Sequence, residues 1–246
     1  PIAYTHQPSE IMSQEFSNKE GLFNPRRIRS FVRREGKLTK GQQNALNDVW
    51  PLLGVPLIAD KVLDFDVLFG RRADTVLEIG FGNGLSLADM AEAAPNLNFL
   101  GVEVHRPGVG SLLVQLKKRD ITNVRVSQDD AVDVVTQQIA DGSLHRVQIF
   151  FPDPWHKKRH NKRRLINAAF IQLILTKLKP GGHFHVATDW EPYAEQVLEE
   201  LTANEGLTNT ADRYCAKPDY RPTTKYEQRG IRHGHGVYDM VFQKRI

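Results

Sequence analysis

From residue 75 onward the chain alternates short apolar runs with amphipathic stretches, and that alternation leaves few folds open. TVLEIG reads as a strand, and LSLADMAEAA, apolar at helical spacing, as a helix that stops before Pro95. NFLGVEV, VRVSQ, RVQIFF and HFHVAT read as four further strands. GVGSLLVQLKKRD, AVDVVTQQI, RRLINAAFIQLILTKL and PYAEQVLEELTAN read as helices, the third a long one ending at Lys179-Pro180-Gly181-Gly182. Apolar strands, each followed by a helix, imply an α/β fold with a parallel sheet covered on both faces by right-handed crossovers. The tail segment VYDMVFQ has strand character and no helix after it, which places it antiparallel at the sheet edge.

Residues 1–45 read differently, as a basic arm with Asn24-Pro25-Arg26-Arg27 followed by Arg29, Arg33, Arg34, Lys37 and Lys40. Whether the arm is flexible in the free chain stays open. A helix from about Lys40 to Trp50 would be ended by Pro51. Residues 46–246 read as a single domain, since 246 residues suffice for one full α/β domain.

The chain is 40% hydrophobic and 25% charged, as folded proteins are and disordered or fibrous ones are not. No apolar run approaches the roughly 18–20 residues of a membrane helix, and the first residues have no basic start with an apolar core after it. No membrane partner and a cytoplasmic location are therefore expected. Cys215 is the only cysteine, so no internal disulfide and no cysteine-based zinc site can form, as suits a reducing interior. The net charge of +4 is unevenly sorted. Residues 1–40 carry 8 basic and 4 acidic side chains, residues 157–164 carry 6 basic and none acidic, and residues 213–246 carry 8 basic and 3 acidic. Basic segments around an acidic middle suggest a polyanion held at the edge of a differently specialised core.

Parallel sheets of this kind bind ligands beyond the carboxyl ends of their strands. Each of the five strands ends at or beside an acid: Glu78, Glu103, Asp129-Asp130, Asp153 and Asp189. Any one of them reads equally well as a helix cap; five in register are harder to dismiss. Gly80, Gly82 and Gly84 follow the first strand and let a ligand approach the backbone. A dinucleotide fingerprint would need a third glycine at position 85, where Leu85 stands, so a ligand without phosphate is favoured. Glu103, 19 residues past Gly84, can accept both hydroxyls of a ribose, and Asp130 can accept from an adenine amino group. Ribose, adenine and no phosphate describe S-adenosylmethionine, whose sulfonium also suits an acidic cleft. Next, in FFPDPWHKKRHNKRR, Asp153 is locked between two prolines, Trp155 offers a stacking face, and a basic run follows at once. At the ligand edge of the sheet this reads as a phosphate-binding loop beside a base pocket.

The segments LEIGFGNG, FLGVEVHRPGVG, FFPDPWHKKRHNKRR, LKPGGHFHVATDW and RPTTKYEQRGIRHGHGVYD together resemble those of the bacterial tRNA (guanine-N(7)-)-methyltransferase family, from about residue 28 onward. The resemblance implies a Rossmann-like class I S-adenosylmethionine-dependent methyltransferase fold with a mostly parallel seven-stranded sheet. It implies that Glu78, Glu103, Asp130 and Asp153 contact the cofactor beside the glycine loop, with Asp153 also catalytic. It assigns Lys157, Asp189, Thr224, Lys225, Tyr226 and Glu227 to the target nucleotide, and Arg159, His160, Asn161, Lys162, Arg163 and Arg164 to tRNA. It also implies methylation of nitrogen 7 of guanine 46 in the variable loop; DNA is not an expected partner.

Other readings are weaker. An NAD(P)-dependent oxidoreductase is disfavoured by Leu85 and by the basic run 157–164. A catalytically silent RNA binder gains nothing from carboxylates facing phosphate. Exocyclic-amine methylation often uses Asp/Asn-Pro-Pro-aromatic, where this chain has Pro-Asp-Pro-Trp. His156 and His160, or His233 and His235, have metal-compatible spacing, but their neighbours are mostly Lys, Arg and Gly, so no metal is expected.

Overall fold

The computed structural model describes residues 28–32, 36–224, 227 and 236–246. Among them, α1 (Lys40–Asp48), α2 (Trp50–Leu53) and α3 (Phe65–Phe69) precede a seven-stranded sheet. The sheet contains β1 (Thr75–Ile79), β2 (Asn98–Val102), β3 (Val124–Ser127), β4 (Leu144–Phe150), β5 (Leu178–Thr188), β6 (Leu207–Asn209) and β7 (Tyr238–Lys244). Helices α4 (Leu85–Ala93), α5 (Arg106–Lys118) and α6 (Ala131–Gln138) follow β1, β2 and β3 in turn. A 3-10 helix (Lys158–Arg163) and α7 (Ala168–Lys177) link β4 to β5, and α8 (Glu191–Thr202) follows β5. Strand order is β3-β2-β1-β4-β5-β7-β6; β1 to β5 are parallel, and β7 is antiparallel to both β5 and β6.

The order reverses between β1 and β4, so a crevice opens beyond their carboxyl ends. Alternate residues feed two cores. Leu77, Ile79, Val147, Ile149, Phe184 and Val186 pack beneath α6, α7 and α8. Val76, Phe99, Val124 and Val126 pack beneath α1, α4 and α5. Every residue of β1 and β2 is buried, as a sheet covered on both faces requires.

Several boundaries differ from the sequence reading. Pro51 does not end the first helix. It stands in the opening turn of α2, where a missing N–H leaves no bond unmade. Thr39 caps α1 in a reciprocal box with Gln42, and the division drawn at 45/46 falls inside this helix, which buries Ala45 and Leu46. The long helix expected from Arg163 begins only at Ala168, because Asn167 accepts from the Phe170 N–H at 3.1 Å and caps it there. Lys179-Pro180-Gly181-Gly182 belongs to β5: Leu178 pairs with Leu144, the register then shifts, and His183 pairs with Arg146. The tail strand β7 is not at the edge, because β6, three residues long and unforeseen, covers it.

Candidate active site and RNA interface

The crevice beyond β1 and β4 holds a cleft of about 210 Å³ whose walls include Gly80, Glu103, Asp129, Asp130, Phe151 and Asp153. Gly80, Gly82 and Gly84 all have left-handed backbone, with φ of 75°, 61° and 75°, which an L side chain adopts only at a cost of roughly 1–2 kcal/mol. A Cβ at Gly80 or Gly82 would project into open space, so a ligand can lie directly against this backbone. Gly108, near the start of α5, presses against the same loop: a Cβ there would lie 2.1 Å from the Gly82 carbonyl oxygen. Glu103 fixes the loop from the other side. Its two carboxylate oxygens accept from the Gly82 and His105 N–H groups, each at 2.9 Å.

Asp130 caps α6 through the Val132 N–H at 3.0 Å and is 6% exposed. Its neighbour Asp129 accepts from the Leu57 N–H at 3.1 Å. Glu78 lies elsewhere than the cleft wall. It is buried within β1 and accepts from the Gln148 side-chain amide at 2.7 Å, and burial pushes its carboxyl up to about 7 despite that bond. Glu103 and Asp130 offer carboxyl oxygen acceptors of the kind a ribose and an adenine amino group need, and the open glycine backbone offers room for them. These residues fit S-adenosylmethionine.

Asp153 is exposed on the cleft rim between Pro152 and Pro154. Phe151 and Trp155, on either side, have left-handed φ of 50° and 48°, a cost on the order of 1–3 kcal/mol each. The turn is held in three places. Phe151 N–H donates to the Ala187 carbonyl at 2.7 Å, Arg164 Nε to the Pro154 carbonyl at 2.8 Å, and Trp155 Nε1 to the Ser30 carbonyl at 3.1 Å.

Two of those holds correct the sequence reading. Arg164, expected among the tRNA contacts, is 7% exposed, bonded to Pro154 and Gln196 and stacked 4.8 Å over the buried Tyr193 ring. It braces the turn. Ser30 and Phe31 of the arm line the cleft, which the sequence reading missed, although Phe31 is the one aromatic among the arginines of residues 26–34.

Lys157 is exposed, as are Lys158, Arg159 and Lys162 of the 3-10 helix, while His160, Asn161 and Arg163 are half-buried. Arg163 stacks 4.9 Å from the Trp155 ring. His160 is held below the usual histidine range by desolvation, then by the surrounding Arg159, Arg163, Lys157 and Lys162 cations. Lys162 and Arg163 line a second cavity that shares Ser30, Asp130 and Leu165 with the cleft, so the basic helix and the acidic rim adjoin. Asp189 is exposed just after β5, and His156 packs edge-on against Trp190 at 4.3 Å, which joins its loop to that of Lys157.

The Glu227 N–H donates to Thr224 Oγ1 at 3.0 Å. Lys225 and Tyr226 lie outside the described residues. Among the described residues no group of three or more His, Cys, Asp and Glu side chains is arranged to hold a metal ion, and no helix is long and apolar enough to cross a membrane.

A family model described as "Putative methyltransferase" matches residues 72–240. The tRNA (guanine-N(7)-)-methyltransferase of Cronobacter sakazakii is 54% identical over 236 residues, 95% of this chain and 98% of that one. The protein of the same name from Shewanella oneidensis is 55% identical over 238 residues, 96% of this chain and 99% of that one. The chain belongs to this tRNA (guanine-N(7)-)-methyltransferase family. Among solved structures, the 16S rRNA methyltransferase KamB superposes with a TM-score of 0.55 at 13% identity, covering 76% of this chain and 95% of that one. That likeness concerns the fold, which is the Rossmann-like class I methyltransferase fold. In this chain the glycine loop at Gly80 and the Pro152-Asp153-Pro154 turn line one cleft.

Proposed function

We propose that this protein transfers a methyl group from S-adenosylmethionine to nitrogen 7 of guanine in tRNA, at position 46 of the variable loop, and works in the cytoplasm. One observation carries the reading: Asp153, clamped between two prolines, stands on the rim of a cleft that also presents Glu103 and Asp130, with a basic 3-10 helix directly after it. Near-full-length identity above 50% to family members supports it.

S-adenosylmethionine supplies an electrophilic methyl on a sulfonium. Glu103 accepts from the ribose hydroxyls, Asp130 from the adenine amino group, and the backbone of Gly80, Gly82 and Gly84 lies against the ligand. Glu78, buried two residues before Gly80, fixes the end of β1 through its bond with Gln148. Nitrogen 7 of neutral guanine carries a lone pair and no proton, so the chain supplies no general base. Its tasks are alignment and negative potential near a purine that gains positive charge. Asp153 accepts from the Watson–Crick edge of guanine and sets its carboxyl oxygens beside the purine. Lys157, Asp189, Thr224, Lys225 and Tyr226 hold the nucleotide, with Glu227 buried behind them, and Arg159, His160, Asn161, Lys162 and Arg163 meet the RNA backbone. Guanine leaves its stack to enter, which is least costly in a loop or a weak tertiary contact.

The test is radiolabelled methyl transfer to bulk unmodified tRNA, with the modified base mapped. Label at nitrogen 7 of guanine is expected, and label at another atom overturns the reading. Asp153→Asn is expected to retain tRNA binding and to slow transfer by about a hundredfold or more, the scale of losing one preorganised electrostatic group.

A further inference from the structure

Glu227 is assigned to the nucleotide by resemblance, yet its carboxylate points into the protein. It is 4% exposed. Arg221 Nη1 donates to its Oε2 at 2.7 Å and Nη2 to its Oε1 at 3.0 Å, while the Thr224 N–H reaches Oε2 at 3.3 Å. Little of this carboxylate is left for a nucleobase.

Arg221 is itself 1% exposed and is gripped from behind. Its Nε and Nη2 donate to the two carboxylate oxygens of Asp239, on β7, at 2.7 and 2.8 Å. Asp239 Oδ1 also pairs with His185 Nε2 at 2.8 Å, and Tyr220 OH meets His185 Nδ1 at 2.8 Å. Asp239 is held ionised: burial would raise its carboxyl, but the bonds from His185 and Arg221 keep it below its ordinary range. As a carboxylate it can only accept, so His185 carries its proton on Nε2 and accepts from Tyr220 on Nδ1. In front, the Arg221 guanidinium lies 5.9 and 5.7 Å from the rings of Phe150 and Phe151, and Phe151 is both a cleft wall and the strained residue that starts the Asp153 turn.

A buried ion pair is a weak source of stability, because apolar residues of similar volume often serve as well or better. What it provides is fixed geometry: two planar forks leave the guanidinium one orientation. We propose that Arg221 is a positioning residue for methyl transfer and that Glu227 acts through it. Arg221, clamped on Asp239, holds Glu227, with Thr224 bonded to it, and the base of the Asp153 turn in one fixed relation. This rests on the reading that Thr224, Lys225 and Tyr226 hold the target nucleotide.

The experiment is a double-mutant cycle on the full chain, with Arg221→Lys, Glu227→Gln and the pair. Three quantities are read: kcat and KM for unmodified tRNA, calorimetric affinity for S-adenosylmethionine, and the melting temperature. Lysine keeps the charge and loses the fork. Each single change is expected to lower kcat by about ten- to a hundredfold, the scale of a small misplacement near reacting atoms. Cofactor affinity is expected to stay within about twofold, and the pair to be no worse than the more damaged single, as residues acting as one unit behave. Losses that multiply give Glu227 its own contact with the nucleotide and overturn the proposal. So do parent-like turnover in either single variant, or cofactor affinity that falls in step with kcat. Should Arg221→Lys not fold, Asp239→Asn takes its place in the cycle with the same outcomes deciding. A parent protein that leaves tRNA unmethylated overturns the functional reading itself, whereas an active parent with multiplying losses overturns only the role of Arg221.

Discussion

Glu78 carries a consequence that its place in the sequence hides. Its carboxyl sits at about 7 in the fold against an ordinary 4.5. Between those two pH values the folded chain keeps a proton that the unfolded chain has released. Stability therefore declines as pH rises through that window and levels off above it. Glu78→Gln is expected to remove the decline, leaving the ligand-free variant more stable than the parent at pH 8 by on the order of 3 kcal/mol. Urea midpoints at pH 5 and pH 8 check this, and parallel curves for the two proteins refute it. Gly108 is a second single position with leverage. Ala at 108 must push its Cβ away from the Gly82 carbonyl, so Gly108→Ala is expected to cost about 1–3 kcal/mol and to weaken S-adenosylmethionine binding, read by thermal melting and calorimetry. The acids at the strand ends were legible in the sequence because strand, turn and helix follow one another in order. Their partners were not. Nothing adjacent in the sequence pairs Glu78 with Gln148, 70 residues away, or turns Arg164 inward onto Tyr193.

The 3-10 helix Lys158–Arg163 shows how a basic run divides its labour. Lys158, Arg159 and Lys162 face solvent, while Arg163 lies on Trp155 and Arg164, just after it, is buried. Affinity for tRNA is expected to fall steeply with salt, the slope reflecting the phosphates neutralised. Lys162→Ala is expected to reduce the slope of log K against log salt by about one, and Arg164→Ala to destabilise the fold instead. Filter binding at several salt concentrations checks the first effect, and an unchanged slope would remove Lys162 from the interface. The tightness of this segment also explains a misplaced boundary. RRLINAAFIQLILTKL has helical periodicity throughout, but Arg164 bonds backward to Pro154 and Asn167 caps forward, so Leu165 and Ile166 stay outside any helix. Periodicity reports which residues are apolar. It does not report which backbone N–H a side chain will capture.

The order of the parallel core was legible because β1 to β5 each carry an apolar run ahead of a helical one, and the antiparallel tail because no helix follows it. β6 escaped notice because three residues, Leu207–Asn209, carry too little pattern. The frame of Arg221, Asp239, His185 and Tyr220 escaped for another reason: it joins β5 and β7 to the segment between α8 and β7, and only the folded sheet brings them together. The arm contact is of the same kind. Trp155 donates its indole N–H to the carbonyl of Ser30, 125 residues earlier, at the mouth of the cleft. The chain thereby contains its own fluorophore at the junction of arm, turn and basic helix. With Trp50 and Trp190 replaced by Phe, emission from the remaining indole becomes an optical gauge of whether residues 28–32 are seated, readable without any attached dye.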